Sequence, residues 1–211
     1  MTISNSIIRG SENPAYNRGV VMNKGSLNFV IRDSEIIRQY PSVRLDGLLG
    51  WNFTAQRVHI VGGVDSIKIS GSNVRVEDSL LENTDHYESD PNQAGGPTHN
   101  DNIQIGTGSN LSIVRNTIRG SQTHTILPAA QQGNIQVSIL GNWLDGAICN
   151  VKLQTRDSWT LDATVRDNKF GPNLIYKKCM ISQQKTGNIT LAASGNVLEN
   201  SPYSPVGVFF E

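Results

Sequence analysis

The chain has 211 residues, with 18 basic and 18 acidic side chains and a formal net charge of zero. This balance argues against a nucleic-acid-binding protein, which would carry a basic surplus, and no apolar run approaches the roughly 18 residues of a membrane-spanning helix. Only 17% of residues are charged while 20 are glycine, so strands and tight turns are favoured over helices. We therefore expect neither a nucleic-acid partner nor membrane insertion.

One phrase recurs along the chain: apolar, any, apolar, any, any, small or Asn, any, apolar. Its eight copies begin at Met1, Phe29, Val58, Val74, Leu111, Val137, Ala163 and Leu191. Apolar residues that alternate two apart indicate a strand rather than a helix. The copy at Val58 is degenerate because Asp65 occupies its last apolar position.

The small or Asn position of each copy, here called the anchor, recurs with the period of one turn of chain. The predicted anchors are Ser6, Ser34, Gly63, Ser79, Asn116, Asn142, Asn168 and Asn196. Their spacings are 28, 29, 16, 37, 26, 26 and 28, and the two unusual values sum to 53, or two ordinary turns. A second short strand follows each anchor, with the predicted inward residues Val20, Val43, Ile67, Ile103, Ile126, Val151, Met180 and Val206.

These features predict an all-β fold, a right-handed single-stranded parallel β-helix of about eight rungs, with residues 1–211 forming one domain. One turn cannot bury its apolar side alone, so successive turns stack at about 4.8 Å. The anchor suits a bend with left-handed backbone, which Gly and Asn tolerate, and the four Asn anchors are expected to form a hydrogen-bonded ladder. A leucine-rich repeat would need a helical return and a β-propeller about four strands per 40 residues, and both fit less well.

Several stretches resemble β-helix proteins of actinobacteria and of bacteriophage tails. They are Val58-His59-Ile60, Asp65-Ser66-Ile67-Lys68 and Pro97-Thr98-His99-Asn100-Asp101-Asn102-Ile103-Gln104. Together with the repeat, they make nearly the whole chain similar to the pectate-lyase-like superfamily of right-handed parallel β-helix proteins. The resemblance implies the fold but no single activity, because this fold hosts lyases, hydrolases, epimerases, esterases and inert spikes.

Residues from about 83 to 98 are a predicted insertion. Ile67 and Ile103 are 36 residues apart, about twelve more than the usual spacing, and the added residues are polar with Gly and Pro. Long loops on a rigid repeat scaffold often carry function, while a tolerated surface insertion is the alternative. No resident cofactor is predicted, and calcium at Asp85, His86 and Asp90 is the alternative, although these residues lack an ordered ligand pattern.

Candidate chemistry gathers on one flank of the predicted stack, beside the insertion. Outward residues of the second strands are expected to form one column, made of Arg44, Lys68, Gln104 and Lys152. Acidic and imidazole side chains stand just upstream of it in the chain. The predicted catalytic residues are His99, Asp101 and Asp65. The predicted substrate-binding residues are Lys68, Gln104, Lys152, Arg44 and His124.

The chemistry of polysaccharide cleavage explains this choice. A polyuronate lyase needs a cation to neutralise the substrate carboxylate and a base to remove the C5 proton, whereas a glycoside hydrolase needs two carboxylates about 5 Å or 6.5–9.5 Å apart. Asp65 and Asp101, one rung apart, suit the shorter separation. The structural alternative for both is a turn in which the carboxylate accepts backbone N–H groups. For Lys68 and Lys152 the alternative is a solvated surface position.

Cys149 and Cys179 are 30 residues apart and occupy nearly equivalent places in successive rungs. Stacked side chains would come within disulfide reach. Two cysteines do not form the disulfide framework of a small secreted domain, so we expect buried thiols.

The predicted function is binding, and cleavage by a lyase or a glycoside hydrolase, of an extracellular or cell-surface polysaccharide. The alternative is a non-catalytic structural or receptor-binding component of a bacteriophage tail or spike. Because no classical signal peptide is present, the expected location is extracellular or virion-associated by another route. Met1 already occupies an inward position, so a homotrimer, or a neighbouring virion or domain partner, is expected to cover this end.

Overall fold

The computed structural model is a parallel β-helix of about eight turns, and it confirms the predicted fold class. It describes residues 1–10, 14–156, 158–175, 179–184, 186–199 and 204–210. A 3₁₀ turn, Pro91–Gln93, is the one helical segment among these described residues. The described part of the chain therefore contains no helix that is long and apolar enough to cross a membrane.

The strands follow one another around the solenoid, and three of them run through a bend. They are β1 Thr2–Ser4, β2 Ile7–Arg9, β3 Arg18–Ile37, β4 Leu45–Val61, β5 Ile67–Ser70, β6 Val74–Glu77, β7 Leu80–Glu82, β8 Asp101–Val114, β9 Thr117–Arg119, β10 His124–Ala130, β11 Ile135–Leu140, β12 Trp143–Asp145, β13 Cys149–Thr155, β14 Thr160–Arg166, β15 Lys169–Phe170, β16 Ile181–Gln183, β17 Asn188–Ser194, β18 Val197–Leu198, β19 Ser204–Pro205 and β20 Val208–Phe210.

Three parallel faces result from the pairing of these strands. Face A stacks β1, β3, β4, β6, β8, β11, β14 and β17. Face B, which follows the anchor, stacks β2, β3, β4, β7, β9, β12, β15 and β18. Face C, made of the second strands, stacks β3, β4, β5, β8, β10, β13, β16 and β20. Among the described strands, only the β18–β19 pair is antiparallel.

The core is a set of vertical aliphatic columns, because each inward side chain lies over its counterpart one rung below. Face C contributes Leu48, Ile67, Ile103, Ile126, Val151 and Ile181, all fully buried. Face B contributes Ile36, Ile60, Leu81, Ile118, Leu144 and Phe170, also fully buried. Apolar burial in these columns is the main stabilising term of the fold.

The third copy of the phrase is wrongly placed by the sequence pattern. Ser34 pairs with Val58, whose backbone N–H donates to Ser79 Oγ at 3.1 Å. The anchor is therefore Val58 rather than Gly63, and the copy begins at Phe53, five residues earlier than predicted. Its spacings to Ser34 and Ser79 are 24 and 21 residues, so the predicted spacing of 16 does not exist. The sequence pattern missed this register because the anchor is a valine here, whereas the other anchors are serine or asparagine.

Four predicted inward residues of the second strands are also wrong. The register makes Val21, Leu48, Ile181 and Val208 the inward members instead of Val20, Val43, Met180 and Val206. The largest shift is from Val43 to Leu48. A turn precedes this strand, in which the Leu45 N–H donates to Ser42 O at 3.3 Å, so the strand begins only at Leu45. Strands at both ends of the solenoid are flanked by connections of irregular length, so alternation alone could not fix their register.

The amide ladder at the bend between faces A and B is confirmed. Asn142 illustrates one step: its Oδ1 accepts the backbone N–H of Asn116 at 2.9 Å, and its Nδ2 donates to Ile113 O at 3.0 Å. The same two bonds recur at Asn168 and Asn196. Each amide side chain thus pairs with one buried backbone N–H and one buried backbone carbonyl at the bend.

The left-handed residue of this bend precedes the anchor, which corrects the expectation that the anchor itself is left-handed. The residues with positive φ here are Asn5, Asp33, Arg57, Asp78, Arg115, Gly141, Asp167 and Gly195, with φ between 50° and 66°. The anchors themselves are not among the residues with positive φ. Serine and asparagine are favoured there because the side chain accepts the anchor N–H of the rung below, as Ser34 Oγ does from Ser6 at 3.1 Å.

The two cysteines form a disulfide, so the expectation of buried thiols is wrong. Cys149 and Cys179 have a Cα–Cα distance of 4.7 Å. They stand two residues before Val151 and Ile181, which pair directly across successive rungs. Rung stacking alone brings the two Cα atoms into the range that a disulfide needs.

Replacement of Asn142 by alanine tests the ladder. The change leaves the Asn116 N–H and the Ile113 carbonyl without partners, so the free energy of unfolding should fall by about 2–4 kcal/mol. The outward-facing Ser138→Ala variant on the same rung should change it by about 0.5 kcal/mol or less. Urea titration followed by circular dichroism measures both, and equal losses in the two variants would contradict the ladder's role.

Reduction tests the disulfide, which closes a loop of 30 residues. Loop-closure entropy predicts that a reductant lowers the free energy of unfolding by about 3–4 kcal/mol. The Cys149→Ala/Cys179→Ala double variant should have a similarly lowered stability that no longer responds to reductant. A thiol assay on the unfolded, unreduced protein should detect no free thiol, and two thiols per chain would refute the bond.

Candidate functional site

The outward column of face C differs in part from the predicted one. Lys68 pairs with Leu49 on one side and with Gln104 on the other, so the predicted neighbours Lys68 and Gln104 are adjacent. Leu127 follows Gln104 and is buried. It separates this pair from Lys152, which pairs with Ser182 higher in the stack. Lys152 thus belongs to the predicted column, but Leu127 lies between it and Gln104.

A groove crosses face C along the strand direction, and Lys68 and Gln104 lie at its centre. It consists of two adjoining clefts of about 60 and 210 Å³ that share these two side chains. The smaller cleft, at the start of the strands, also contains Arg44, Asp46, Asn92 and His99. The larger one, at the end of the strands, also contains Ser70, Gln131 and Gln132. We call these two clefts together the face C groove.

Arg44 reaches the groove by a route that the sequence did not predict. It is not a member of the Lys68 column, because Leu49 occupies that place. It lies in the connection before β4, where its Nη1 donates to Ala15 O at 2.9 Å, and it lines the smaller cleft. His99 lines the same cleft and is exposed. Of the predicted residues, Arg44, Lys68, His99 and Gln104 therefore share the groove.

The predicted acids Asp65 and Asp101 belong to a second column at the start of the face C strands. Asp65 Oδ1 accepts the Asp101 N–H at 3.0 Å, and Asp46 Oδ1 accepts the Asp65 N–H at 3.1 Å. Their exposed fractions are 5% for Asp46, 1% for Asp65 and 0% for Asp101. Asp46 and Asp65 thus hold the next rung in place through its backbone, and Asp65 and Asp101 lie beneath the surface.

Sequence reasoning missed Asp46, although a signal was present. Asp46, Asp65 and Asp101 each stand two residues before an inward residue of face C. His124, Cys149 and Cys179 occupy the same position in the following rungs. The wrong inward residue for the second rung, Val43, concealed the repetition. We call these six residues the strand-start column.

Burial and mutual repulsion control the charge of this column. Burial is the main reason that the pKa of Asp65 rises from 3.8 to about 8. The Lys68 ammonium opposes this rise at 3.0 Å from Oδ2, whereas Asp46 and Asp101 add to it. Burial likewise raises the pKa of Asp46. The negative charge of Asp65 in turn raises the pKa of Lys68, which therefore remains a cation with its side chain 39% exposed.

His124 lies one rung above Asp101 and contacts it directly. The His124 Nδ1 is 2.9 Å from Asp101 Oδ1, and the side chains are 12% and 0% exposed. The other carboxylate oxygen, Asp101 Oδ2, is buried and has no hydrogen-bond partner in the part of the chain that the structure describes. His124 is thus held at the strand-start end of face C, beside but outside the two clefts of the groove.

The insertion is an ordered loop, formed by residues 83–100 between β7 and β8. Asp85 fixes its start, because Oδ2 accepts the Gly63 N–H at 3.0 Å and Oδ1 pairs with Arg38. Asp90 caps the 3₁₀ turn by accepting the Asn92 N–H at 2.8 Å. Asn92 then binds Asn17 at 3.0 Å, so the loop closes over the first rungs and forms one wall of the smaller cleft.

The suggested calcium ligands are engaged in this loop. Asp85 and Asp90 make the contacts just described, and His86 Nε2 is 3.6 Å from Glu88. In the described residues, no group of three or more His, Cys, Asp or Glu side chains is arranged to hold a metal ion. The loop geometry therefore gives calcium no support.

Face A carries a second, wider depression of about 530 Å³. Its floor consists of short outward side chains, Ser112, Ser138 and Thr164, with Gln136 and Asp162 at one side. It contains none of the predicted site residues. Face A residues can therefore serve as control positions for substitutions in the face C groove.

Comparison of the chain with protein-family models, with curated proteins and with solved structures gives no match. The structure shows a parallel β-helix of about eight turns. Membership of that superfamily is an interpretation of the repeat and of the stretches around Asp65 and Asp101.

The raised pKa of Asp65 predicts how stability depends on pH. Its folded-state pKa of about 8 exceeds the ordinary 3.8, so the folded protein binds this proton more tightly than the unfolded chain does. The Asp65 contribution is complete below about pH 4 and declines as pH rises through about 8. Asp65→Asn removes the titration, so its stability relative to wild type should improve steadily from pH 5 to pH 8.5.

Urea titrations of both proteins across this range measure the difference, and Asp162→Asn on face A is the control. A difference that is constant with pH would show that Asp65 ionises normally.

Proposed function

We propose that the face C groove binds a polysaccharide chain, along the strand direction and beside the ordered loop. The observation that carries this proposal is that amide side chains line two adjoining clefts around the Lys68 ammonium, which both clefts share. Gln104, Gln131, Gln132 and Asn92 offer donors and acceptors for sugar hydroxyl groups, and Lys68 offers a positive charge. An open groove on a rigid flank suits a polymer better than a small molecule, which is usually enclosed in a pocket.

The geometry favours a lyase over a glycoside hydrolase as the form of any cleavage. Hydrolysis needs two carboxylates that reach the sugar from either side, and Asp65 and Asp101 are 1% and 0% exposed. Elimination needs a cation and a base. Lys68 and Arg44 provide accessible cations in the groove, and His99 provides an imidazole there. Elimination by these three groups does not require the catalytic role that the sequence predicted for Asp65 and Asp101.

An extracellular or virion location is part of the same proposal. The Cys149–Cys179 disulfide supports it, because disulfides persist chiefly in oxidising environments. The alternative function, a non-catalytic tail or spike component, shares the fold and the location. It differs in requiring no turnover.

Glycan binding by groove variants tests the proposal. Wild-type protein is run through native gels that contain polygalacturonate, alginate, hyaluronan or xylan, and retardation is compared with a gel without polysaccharide. Gln104→Ala and Lys68→Met should each weaken binding of the retained glycan about tenfold, since each removes contacts worth about 1.5 kcal/mol. Gln136→Ala, a glutamine on face A, should leave binding unchanged.

Absorbance of unsaturated uronate and a reducing-sugar assay on the same mixtures detect cleavage. Retardation that survives both groove changes but is lost in Gln136→Ala would move the site to face A. No retardation by any of the four polysaccharides would contradict the proposal and favour the structural alternative.

A further inference from the structure

The two clefts of the face C groove differ in size, although they share Lys68 and Gln104. The larger cleft has a volume of about 210 Å³ and the smaller one about 60 Å³. The smaller cleft has room for a few water molecules, each of which takes about 30 Å³ in the liquid, but not for a sugar ring. A glycan that runs the length of the groove therefore needs more room at the start of the strands than the smaller cleft provides.

The tip of the ordered loop, residues 90–96, narrows the smaller cleft. Asp90, Asn92 and Gln93 line the cleft on the side of the loop. Asn17 and Arg44 line it on the side of the first two rungs. A displacement of the loop tip away from Asn17 would therefore widen the cleft without disturbing any strand of face C.

The loop tip holds itself together by its own hydrogen bonds. The Asp90 N–H donates to Gly96 O at 2.8 Å, and the Gly95 N–H donates to Asp90 O at 2.9 Å. The Asp90 carboxylate also accepts the Asn92 N–H at 2.8 Å. Because these bonds join the tip to itself, the tip can move as one body and keep its backbone groups paired.

The stem of the loop is fixed separately from the tip. The Thr98 N–H donates to Tyr87 O at 2.9 Å, and the Tyr87 N–H donates to Thr98 Oγ1 at 2.9 Å. Between this stem and the tip lie Glu88 and Ser89 on one side and Pro97 on the other, all of them exposed. A few exposed residues between two hydrogen-bonded units are the usual place of a hinge.

Asn92 holds the tip to the first two rungs through contacts at the surface. Asn17 Nδ2 donates to Asn92 Oδ1 at 3.0 Å, and Asn92 Nδ2 donates to Asn17 Oδ1 at 3.3 Å. Asn92 Nδ2 is also 3.5 Å from Val43 O. Exposed hydrogen bonds between amides contribute little net stability, because water replaces them on either side. A sugar hydroxyl, which both donates and accepts, can replace them in the same way.

We propose that residues 90–96 form a lid on the smaller cleft, that the Asn17–Asn92 pair is its latch, and that the lid lifts to admit a sugar unit. This inference rests on the proposed polysaccharide site and adds its regulation. The lifted lid uncovers the end of the groove that contains Arg44 and His99. Glycan affinity then scales with the fraction of molecules whose lid is open, so the latch lowers the affinity and its loss raises it.

A cysteine in the smaller cleft detects lid opening without any glycan. Val64 lines this cleft and is 8% exposed, and both native cysteines are held in their disulfide. Alkylation of Val64→Cys by a bulky maleimide should be about fivefold faster when Asn17→Ala is added, which is the effect of roughly one net hydrogen bond. Ser138→Cys on face A should react at one rate with or without Asn17→Ala. Equal rates for Val64→Cys in the two backgrounds would overturn the lid.

The direction of a change in glycan binding separates a latch from a simple sugar contact. Asn17→Ala should tighten binding of the polysaccharide that retards wild type by about fivefold, because more molecules have an open lid. A residue that only contacts sugar would weaken binding when it is shortened to alanine, and that result would contradict the latch. Gln136→Ala on face A is again the control.

A covalent bridge tests the lid from the opposite side. Asn17→Cys/Asn92→Cys joined by a short bismaleimide should bind that polysaccharide at least about tenfold more weakly than the same protein capped with N-ethylmaleimide. Equal binding by the bridged and the capped protein would show that the lid need not lift. Failure of the proposed function has a different signature, since no polysaccharide would retard wild type while alkylation of Val64→Cys would still respond to Asn17→Ala.

Discussion

Vertical register between rungs is the constraint on which the rest of this structure depends. All three faces pair in parallel at about 4.8 Å per rung, so every residue position becomes a column. Ile67 and Ile103 are 36 residues apart in the chain and directly paired in space. A long insertion between them changes only a loop, because the columns above and below keep the strands aligned.

The chemistry of a column depends on whether its side chains can both donate and accept. In the Asn142 ladder each amide accepts a backbone N–H with Oδ1 and donates with Nδ2, so the column satisfies itself. Ionised carboxylates of the strand-start column only accept, so their oxygens need a cation or another donor, and burial otherwise favours the protonated form, as the raised pKa values of Asp46 and Asp65 indicate. Lys68 supplies that donor to Asp65, and His124 supplies it to Asp101. The acidic column therefore gathers titratable groups where an amide column would need none.

The strand-start column contains both the titratable side chains and the Cys149–Cys179 disulfide. His124 stands between Asp101 and Cys149, and the disulfide ties the next two rungs together above it. The ordered loop that begins at Asp85 closes the other end, where Arg44 and His99 line the groove. A site placed between two such fixed points has little freedom to relax, which would suit the proposed binding of a polysaccharide.

The sequence by itself determined the fold, the amide ladder and the adjacency of Lys68 and Gln104, because strict alternation in well-formed copies of the repeat leaves one register. It could not place Arg44 or the Val58 anchor, since those positions depend on turns whose lengths follow no period. Only the tertiary structure decided that Asp65 and Asp101 are buried, that Asp101 contacts His124, and that the cysteines are bonded. These are contacts between rungs, and a distance across rungs follows from the stacking of the chain and not from the order of its residues.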